Sequence, residues 1–435
     1  MLHPREKILP ARMQTPPWPE NETQHVPDPE NMTSTHTGTL AAPRVLFVAS
    51  YFPPVSGGSA VTLANLVSAL DDGSAAVVAE HPGNFLGTHN ADIPAGVKTW
   101  RVPVPGWFLP ARGTSKLRSW MRQHIGWLAV PAIRRAIRHW QPTHVVPVYP
   151  SSAMMVNAYR AVQGTGCAVV PYFFDAPTAA ITSILGKNAP VMALTEGVAS
   201  VLREMGVSGP HCVSHVGHRP APSGSAHRMA SRARISELLG EDLEDRFVVA
   251  HTGAVEGLQR DGLLDLIEAL PKKAGKSPLV VLSTPSPMEA GTCLEGHMNR
   301  NVRILNLEPS DVRRLQAGAD ALYATLPLRD IRVDIGRTCF PTKITDYLTS
   351  GTPIIVRGTA GSVLCRHATR QAYAMVVTSQ GGEALAQALT ALEDDGALRT
   401  RLITHAWKAA EEFCAASVVP GFLSALNAGS PVQPR

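Results

Sequence analysis

Between Asp92 and Asp175 the sequence contains neither aspartate nor glutamate, while ten lysines and arginines fall in the same interval. Other absences bound the possibilities. No apolar stretch approaches the ~20 residues needed to span a bilayer, and residues 1–42 lack the apolar central region of an export signal. That segment carries seven prolines among polar residues, so it is expected to be a disordered tail or an over-extended start, and its sequons at Asn21 and Asn31 carry little weight. The six cysteines (167, 212, 293, 339, 365, 414) form no Cys-x-x-Cys pair. This argues against a disulfide framework or structural zinc and suits a reducing cytoplasm. There is no Asp-x-Asp run, no cluster of His, Cys and carboxylates, and no Ser-His-Asp arrangement, so no metal site is expected.

What is present is an alternation. With 435 residues, 44% hydrophobic and 17% charged, the chain is long enough for two ordinary cores. "RVLFVAS" (44–50) is an unbroken apolar run, the mark of a parallel strand buried on both faces. A Gly-rich loop and the helical spacing of Leu63, Leu66, Val67 and Leu70 follow it. "AAVVAE" (75–80), "VKTWRVPV" (98–105), "THVVPVY" (143–149), "CAVVPYFFD" (167–175) and "APVMALT" (189–195) read as further strands. Helical patterns at Lys116–His139, Ser152–Val162 and Gly197–Met205 separate most of them. After a Pro/Gly/Ser stretch at 217–228 the pattern restarts with "RFVVAHTG" (246–253) and runs through "AYAMVV" (372–377). The expected fold class is therefore α/β, two Rossmann-like doubly wound parallel-sheet domains facing across a cleft. Expected boundaries are 43–217, 218–405, and a helix at 406–428 packing back on the first domain.

"FPTKITDYLTSGTPIIV" (340–356) reads as a short helix, a glycine stop and a buried strand. On that helix Ile344, Tyr347 and Leu348 share a face, and Lys343, Asp346 and Ser350 share another. The bland interpretation is a solvated Lys/Asp pair worth ~0.2–0.5 kcal/mol.

Three segments weigh against it. "RVLFVASYFPPVSGGSAVTLANLVSAL" resembles the first βα unit of family 4 glycosyltransferases, which have the two-domain GT-B fold. "FPTKITDYLTSGTPIIV" resembles their donor-site segment in its Pro-x-Lys-x-x-(Glu/Asp)-Tyr form, and "APVMALTEGVASVLREMGV" resembles the segment before the interdomain linker. The resemblance covers Pro43 to the C-terminal end. It implies metal-independent transfer without a cofactor, a nucleotide-diphosphate sugar being the donor substrate. A diphosphate at the mouth of this helix would meet unpaired N–H groups beside Pro341 and Thr342, together with Lys343. The resemblance gives Asp346 the ribose hydroxyls. Eight residues earlier, where the family has the first Glu of Glu-x7-Glu, stands Thr338. The family's phosphate-binding Gly-Arg and Lys-Gly correspond to Gly253-Ala254 and Asp261-Gly262, so both cations are missing. Arg260 is the nearest substitute, with Arg329, Arg332 and Arg337 as others. The family's N-domain His falls at Tyr149-Pro150.

Other candidates come from position. Gly57 and Gly58 follow the first strand, where bare backbone can approach a sugar or phosphate or simply make a tight turn. Asp175 ends a strand and is expected to point into the cleft. Tyr149 and Asp175 are the catalytic candidates. His81 and His89 flank a loop expected to border the cleft. Within the acid-free stretch, Trp107, Trp120, Trp127 and Trp140 interleave with seven basic residues between Arg112 and Arg138. Either an anionic membrane surface or a solvated basic face over core tryptophans accounts for this. Nucleic acid is not expected, since no binding motif is present.

The expectation is a retaining glycosyltransferase acting on a glycan, lipid-linked or other glycoconjugate acceptor. It would be cytoplasmic, with the 106–140 region as its route to the inner face of the membrane. Its rivals are another GT-B enzyme, such as a sugar-nucleotide epimerase, and a catalytically silent GT-B scaffold.

Overall fold

The structure, a computed structural model, describes residues 43–55, 57–82, 92–102, 126–182, 184–185, 189–217, 224–255, 257–270, 278–328 and 333–428. The proposed tail, most of the basic Trp-rich segment, His89, Arg329 and Arg332 lie outside them.

The first half runs β1 (Val45–Ala49), α1 (Gly58–Ala69), β2 (Ala75–Glu80), β3 (Lys98–Val102), α2 (Val130–Trp140), β4 (His144–Tyr149), α3 (Ser152–Val162), β5 (Ala168–Val169), β6 (Tyr172–Phe173), α4 (Ala179–Thr182), β7 (Met192–Ala193), α5 (Glu196–Glu204) and β8 (His211–Cys212). Its strands are parallel in the order β3-β2-β1-β4-β6-β7-β8, with β5 also on β4. The second half runs α6 (Ser225–Leu239), β9 (Val248–Thr252), α7 (Gly257–Ala269), β10 (Leu279–Ser283), α8 (Pro287–Cys293), β11 (Val302–Leu305), α9 (Pro309–Gly318), β12 (Ala321–Thr325), α10 (Val333–Thr338), α11 (Lys343–Thr349), β13 (Ile354–Arg357), α12 (Val363–Gln371), β14 (Ala374–Val377), α13 (Glu383–Asp394), α14 (Gly396–Ala410) and α15 (Ala415–Asn427). Its six parallel strands lie in the order β11-β10-β9-β12-β13-β14. Both sheets therefore reverse winding beside their first strand, between β1 and β4 and between β9 and β12. Ligands of doubly wound sheets bind at such switch points, beyond the carboxyl ends of the strands.

Local chemistry explains the elements. Every residue of β1, β2, β9, β10 and β12 is buried, as strands covered by helices on both faces require. Ser151, Thr195 and Ser362 cap α3, α5 and α12 with their hydroxyls. The run 167–175 is not the single strand expected. Pro171 cannot donate to a ladder, and the run is split into β5 and β6. Where one helix was expected at 116–139, the described part is a 3-10 turn over Gly126–Ala129 leading into α2.

The two halves meet closely. An added Cβ on Gly197 would lie 2.7 Å from Thr338 Cα, and one on Gly217 would lie 2.8 Å from Thr345 Cβ. The chain returns near Phe413, whose carbonyl accepts from the Gly217 N–H at 2.7 Å. Ala406, Ala409 and Ala410 of α14 pack in the second half's core, whereas Val418, Phe422 and Leu426 of α15 join Phe47 in the first. The run Gly396–Asn427 is 32 residues long and apolar enough to cross a membrane, which corrects the expectation that no stretch approaches that length. Here that apolarity is divided between two cores, with Phe413 at the break.

Candidate active site

The strongest convergence of polar groups lies where β9, α11 and α1 meet. β9 ends at Thr252, and Gly253 turns the chain with φ +103°, a backbone conformation that side chains disfavour. Lys343, the first residue of α11, reaches beneath that turn. Its Nζ lies 3.1 Å from Nε2 of His251, and His251 Nδ1 lies 2.9 Å from the Tyr323 carbonyl. A carbonyl can only accept, so Nδ1 carries the proton and Nε2 accepts from the lysine. Burial, reinforced by the Lys343 charge, holds His251 down at about 3, so the imidazole is neutral. Burial also pulls Lys343 down to about 7.

α11 is clamped in place by its own tyrosine. The Thr252 N–H donates to Tyr347 Oη at 2.9 Å, and Gln316 Nε2 donates to Thr252 Oγ1 at 3.1 Å. Ile344 and Leu348 are fully buried behind it. α7, which follows the Gly253 turn, packs against β12 through Gly262, where a Cβ would lie 1.9 Å from Thr325 Oγ1.

From the other half, Gly57 (φ +137°) starts α1. A Cβ on Gly58 would lie 3.2 Å from Thr342 Oγ1, so the N-terminus of α1 abuts the segment leading into α11. Asp175 stands just past β6 with its side chain accessible to solvent, and partial desolvation raises its carboxyl above the usual range. Its charge acts on Cys339, whose thiol burial pushes up to about 12, and the Lys343 charge opposes that rise. Gly57, Gly58, Gly253, Asp175, Pro341, Thr342 and Lys343 thus border one region.

The remaining candidates fall elsewhere or face differently. Tyr149 is 6% exposed, its ring 5.5 Å from Phe173, and its hydroxyl is bonded to Thr178 and Ser152. Arg260 turns towards α8, donating from Nε to the Cys293 carbonyl at 2.9 Å, with Asp261 at 3.7 Å. Arg337 is held by Glu204 at 3.0 Å across the seam. Ser350 does not share the Lys343 environment; its hydroxyl donates to the Tyr347 carbonyl at 2.8 Å and closes the helix. Asp346 is half-buried, and its charge is felt by Tyr347. At Thr338 the backbone carbonyl accepts from Thr195 Oγ1 at 2.8 Å, so this position fastens the two halves together. Sequence reasoning missed His251. The signal was present: a lone histidine two residues before a glycine turn, in a fully buried strand that is otherwise Val, Val, Ala and Thr.

Two parallel doubly wound sheets, meeting at the carboxyl ends of their strands and tied by a returning C-terminal helix, define the GT-B fold. Solved structures agree. HepE from Anabaena, solved with UDP-glucose, aligns with TM-score 0.64 at 13% identity over 88% of this chain and 99% of its own. A glycosyltransferase from Rickettsia africae aligns with TM-score 0.62 at 13% identity, over 88% and 98%. UDP-GlcNAc 2-epimerase from Neisseria meningitidis, bound to UDP-GlcNAc, aligns with TM-score 0.52 at 12% identity, over 87% and 99%. No family model matches the chain, and no curated protein matches it by sequence.

Proposed function

We propose that this protein is a glycosyltransferase that binds a nucleoside-diphosphate sugar at the Gly253–Lys343 turn. The observation that carries the reading is the lysine itself. A desolvated ammonium held on a neutral imidazole, under a glycine turn at the switch point of the sheet, gains most when an anion arrives. A diphosphate would restore the charge that burial withholds, and the same cation would stabilise the diphosphate as it leaves, without a metal ion. Asp346 binds the ribose hydroxyls, and Asp175, with its raised carboxyl, faces the sugar or the acceptor from the opposite half. Tyr149 acts behind Asp175 rather than on substrate, because its hydroxyl is already engaged. The transfer is retaining, and the acceptor is a glycan, a lipid-linked glycan or another glycoconjugate.

The UDP-glucose and UDP-GlcNAc carried by structural neighbours support the donor class. The epimerase neighbour supports a second reading, chemistry on the nucleotide sugar alone. Incubation with UDP- and GDP-sugars separates the two: an epimerase alters the sugar with no acceptor present, whereas a transferase does not. A protein that binds no nucleotide at all would be the silent scaffold. Cytoplasmic location at an anionic membrane belongs to the same reading. It is supported by Trp127 and Leu128, 53% and 51% exposed, beside the exposed Arg135 and Arg138.

A further inference from the structure

A chain of hydrogen bonds crosses from one half of the molecule to the other beside the Gly253–Lys343 turn. Thr62 of α1 places its Oγ1 3.0 Å from His215 Nδ1 and 3.2 Å from Thr342 Oγ1. His215, just past β8, places Nε2 2.9 Å from the Phe340 carbonyl. Thr62 and His215 are each 2% exposed, so the two bonds at His215 are sheltered from bulk water, while Thr342 is half-buried. The imidazole also leans on the Phe340 ring, with centroids 5.9 Å apart.

The directions of both bonds at His215 are determined. The Phe340 carbonyl accepts only, so Nε2 of His215 carries the proton and Nδ1 is left with a lone pair. Thr62 must therefore donate its single hydroxyl proton to Nδ1 and can only accept from Thr342, whose one proton also faces the Gly58 carbonyl at 3.4 Å. Burial, which lowers His215 to about 4, keeps the imidazole neutral in this arrangement. Phe340 and Thr342 flank Pro341 in one short segment, so the first half grips that segment at both ends. The next residue is Lys343.

We propose that Thr62 and His215 are a positioning pair, which sets the 340–342 segment, and with it Lys343, against the N-terminus of α1 for phosphate binding. Neither touches the ligand. They act through Thr342 and Phe340, and they do so only while the two halves are closed. The role rests on reading the Gly253–Lys343 turn as a diphosphate site, and the test separates the two ideas.

UDP and GDP are titrated calorimetrically into the wild-type protein, and the tighter binder is carried forward with its bare nucleoside. Thr62→Val and His215→Gln should each weaken the diphosphate about three- to tenfold, the range expected for one lost hydrogen bond, and leave nucleoside affinity unchanged. Thr62→Ser keeps the hydroxyl and should restore diphosphate affinity. The double variant should lose little more than the weaker single variant, because the two residues act in series. Additive losses, or equal losses for nucleoside and diphosphate, would overturn the pairing. Independently of any ligand, 15N-histidine spectra should show a sheltered imidazole Nε2–H signal that is absent from His215→Gln. Failure of the wild type to bind either nucleotide overturns the site reading, and that signal then decides the relay alone. Its absence overturns the relay.

Discussion

Lys343 and His251 share one hydrogen bond at 3.1 Å, and burial depresses both side chains. The histidine is neutral throughout the physiological range, so the proton that can move belongs to the lysine. A nucleoside diphosphate bound at this turn draws Lys343 back towards its ordinary range, so binding takes up a proton. At pH 7 the uptake should be about half a proton, because Lys343 lies at about 7 when no ligand is present. By pH 8 it should approach one, and affinity should fall as pH rises further. The check is the calorimetric enthalpy in buffers of different ionisation heat. A buffer-independent enthalpy at both pH values would remove Lys343 from the site.

The same lysine makes stability depend on pH. Its folded value of about 7 lies below the value of 10.5 expected for a free side chain. Between those values the unfolded chain binds more protons, so stability should rise with pH. Below pH 7 both states are protonated and the full cost of the buried charge is present. Lys343→Met removes the group, so the melting temperature of the variant should exceed that of wild type near pH 7, and the gap should narrow towards pH 10. A constant gap would assign the difference to packing alone.

Gly197 tests the seam. A methyl group there would meet Thr338 Cα at 2.7 Å and the Arg337 carbonyl at 3.1 Å, and backbone atoms cannot rotate away. Gly197→Ala should therefore wedge the halves apart, at a cost of ~1–3 kcal/mol typical of overpacking. Small-angle scattering should show a larger radius of gyration in the variant, together with weaker nucleotide binding. An unchanged radius would mean that the seam relaxes locally.

Much of the fold was legible because parallel sheets announce themselves. The runs at 44–50, 75–80 and 143–149 are apolar through their centres, and α3 was readable to the residue, with Ser151 as its cap. The faces of α11 were half legible. Ile344, Tyr347 and Leu348 point inwards as their spacing requires, and Lys343 lies under the Gly253 turn, yet Ser350, expected on the same face as Lys343, closes the helix on the Tyr347 carbonyl instead. What escaped the sequence depends on contacts without a period. Thr62 and His215 meet across 153 residues within the first half, and Thr342, a further 127 residues on, joins them only through closure of the second half on the first. Pairing of Arg337 with Glu204 escaped for the same reason.

The exposed tip before α2 supports a membrane experiment. Trp127 and Leu128 stand in solvent, whereas Trp140 packs against Trp100 and under Arg44. Arg134 is partly occupied, donating to the carbonyls of Ala161 and Arg160 at 3.4 and 3.2 Å. Arg135 and Arg138, with Trp127, are therefore the residues to change. Arg135→Glu/Arg138→Glu and, separately, Trp127→Ser should each reduce co-sedimentation with phosphatidylserine vesicles, the charge variant more strongly at low salt. Equal binding by all three proteins would leave a solvated basic face.

Asp346 carries the last prediction. It lies on the same short helix whose first residue is Lys343. If its carboxylate accepts from ribose hydroxyls, Asp346→Ala removes charge-assisted bonds worth ~1.5–3 kcal/mol. Affinity for UDP or GDP should then fall ~10–150-fold. The fold should survive, since the apolar side of α11 is formed by Ile344, Tyr347 and Leu348, all fully buried, while Asp346 is half-buried. Asp346→Glu should be far milder because the acceptor is retained. A ribose contact is present in the bare nucleoside as well, so Asp346→Ala should weaken nucleoside and diphosphate alike. Lys343→Ala should weaken the diphosphate selectively. Calorimetric titration of both ligands into both variants reads these two patterns side by side. If Asp346→Ala binds as tightly as wild type, the carboxylate belongs to the surface and the ribose is held elsewhere.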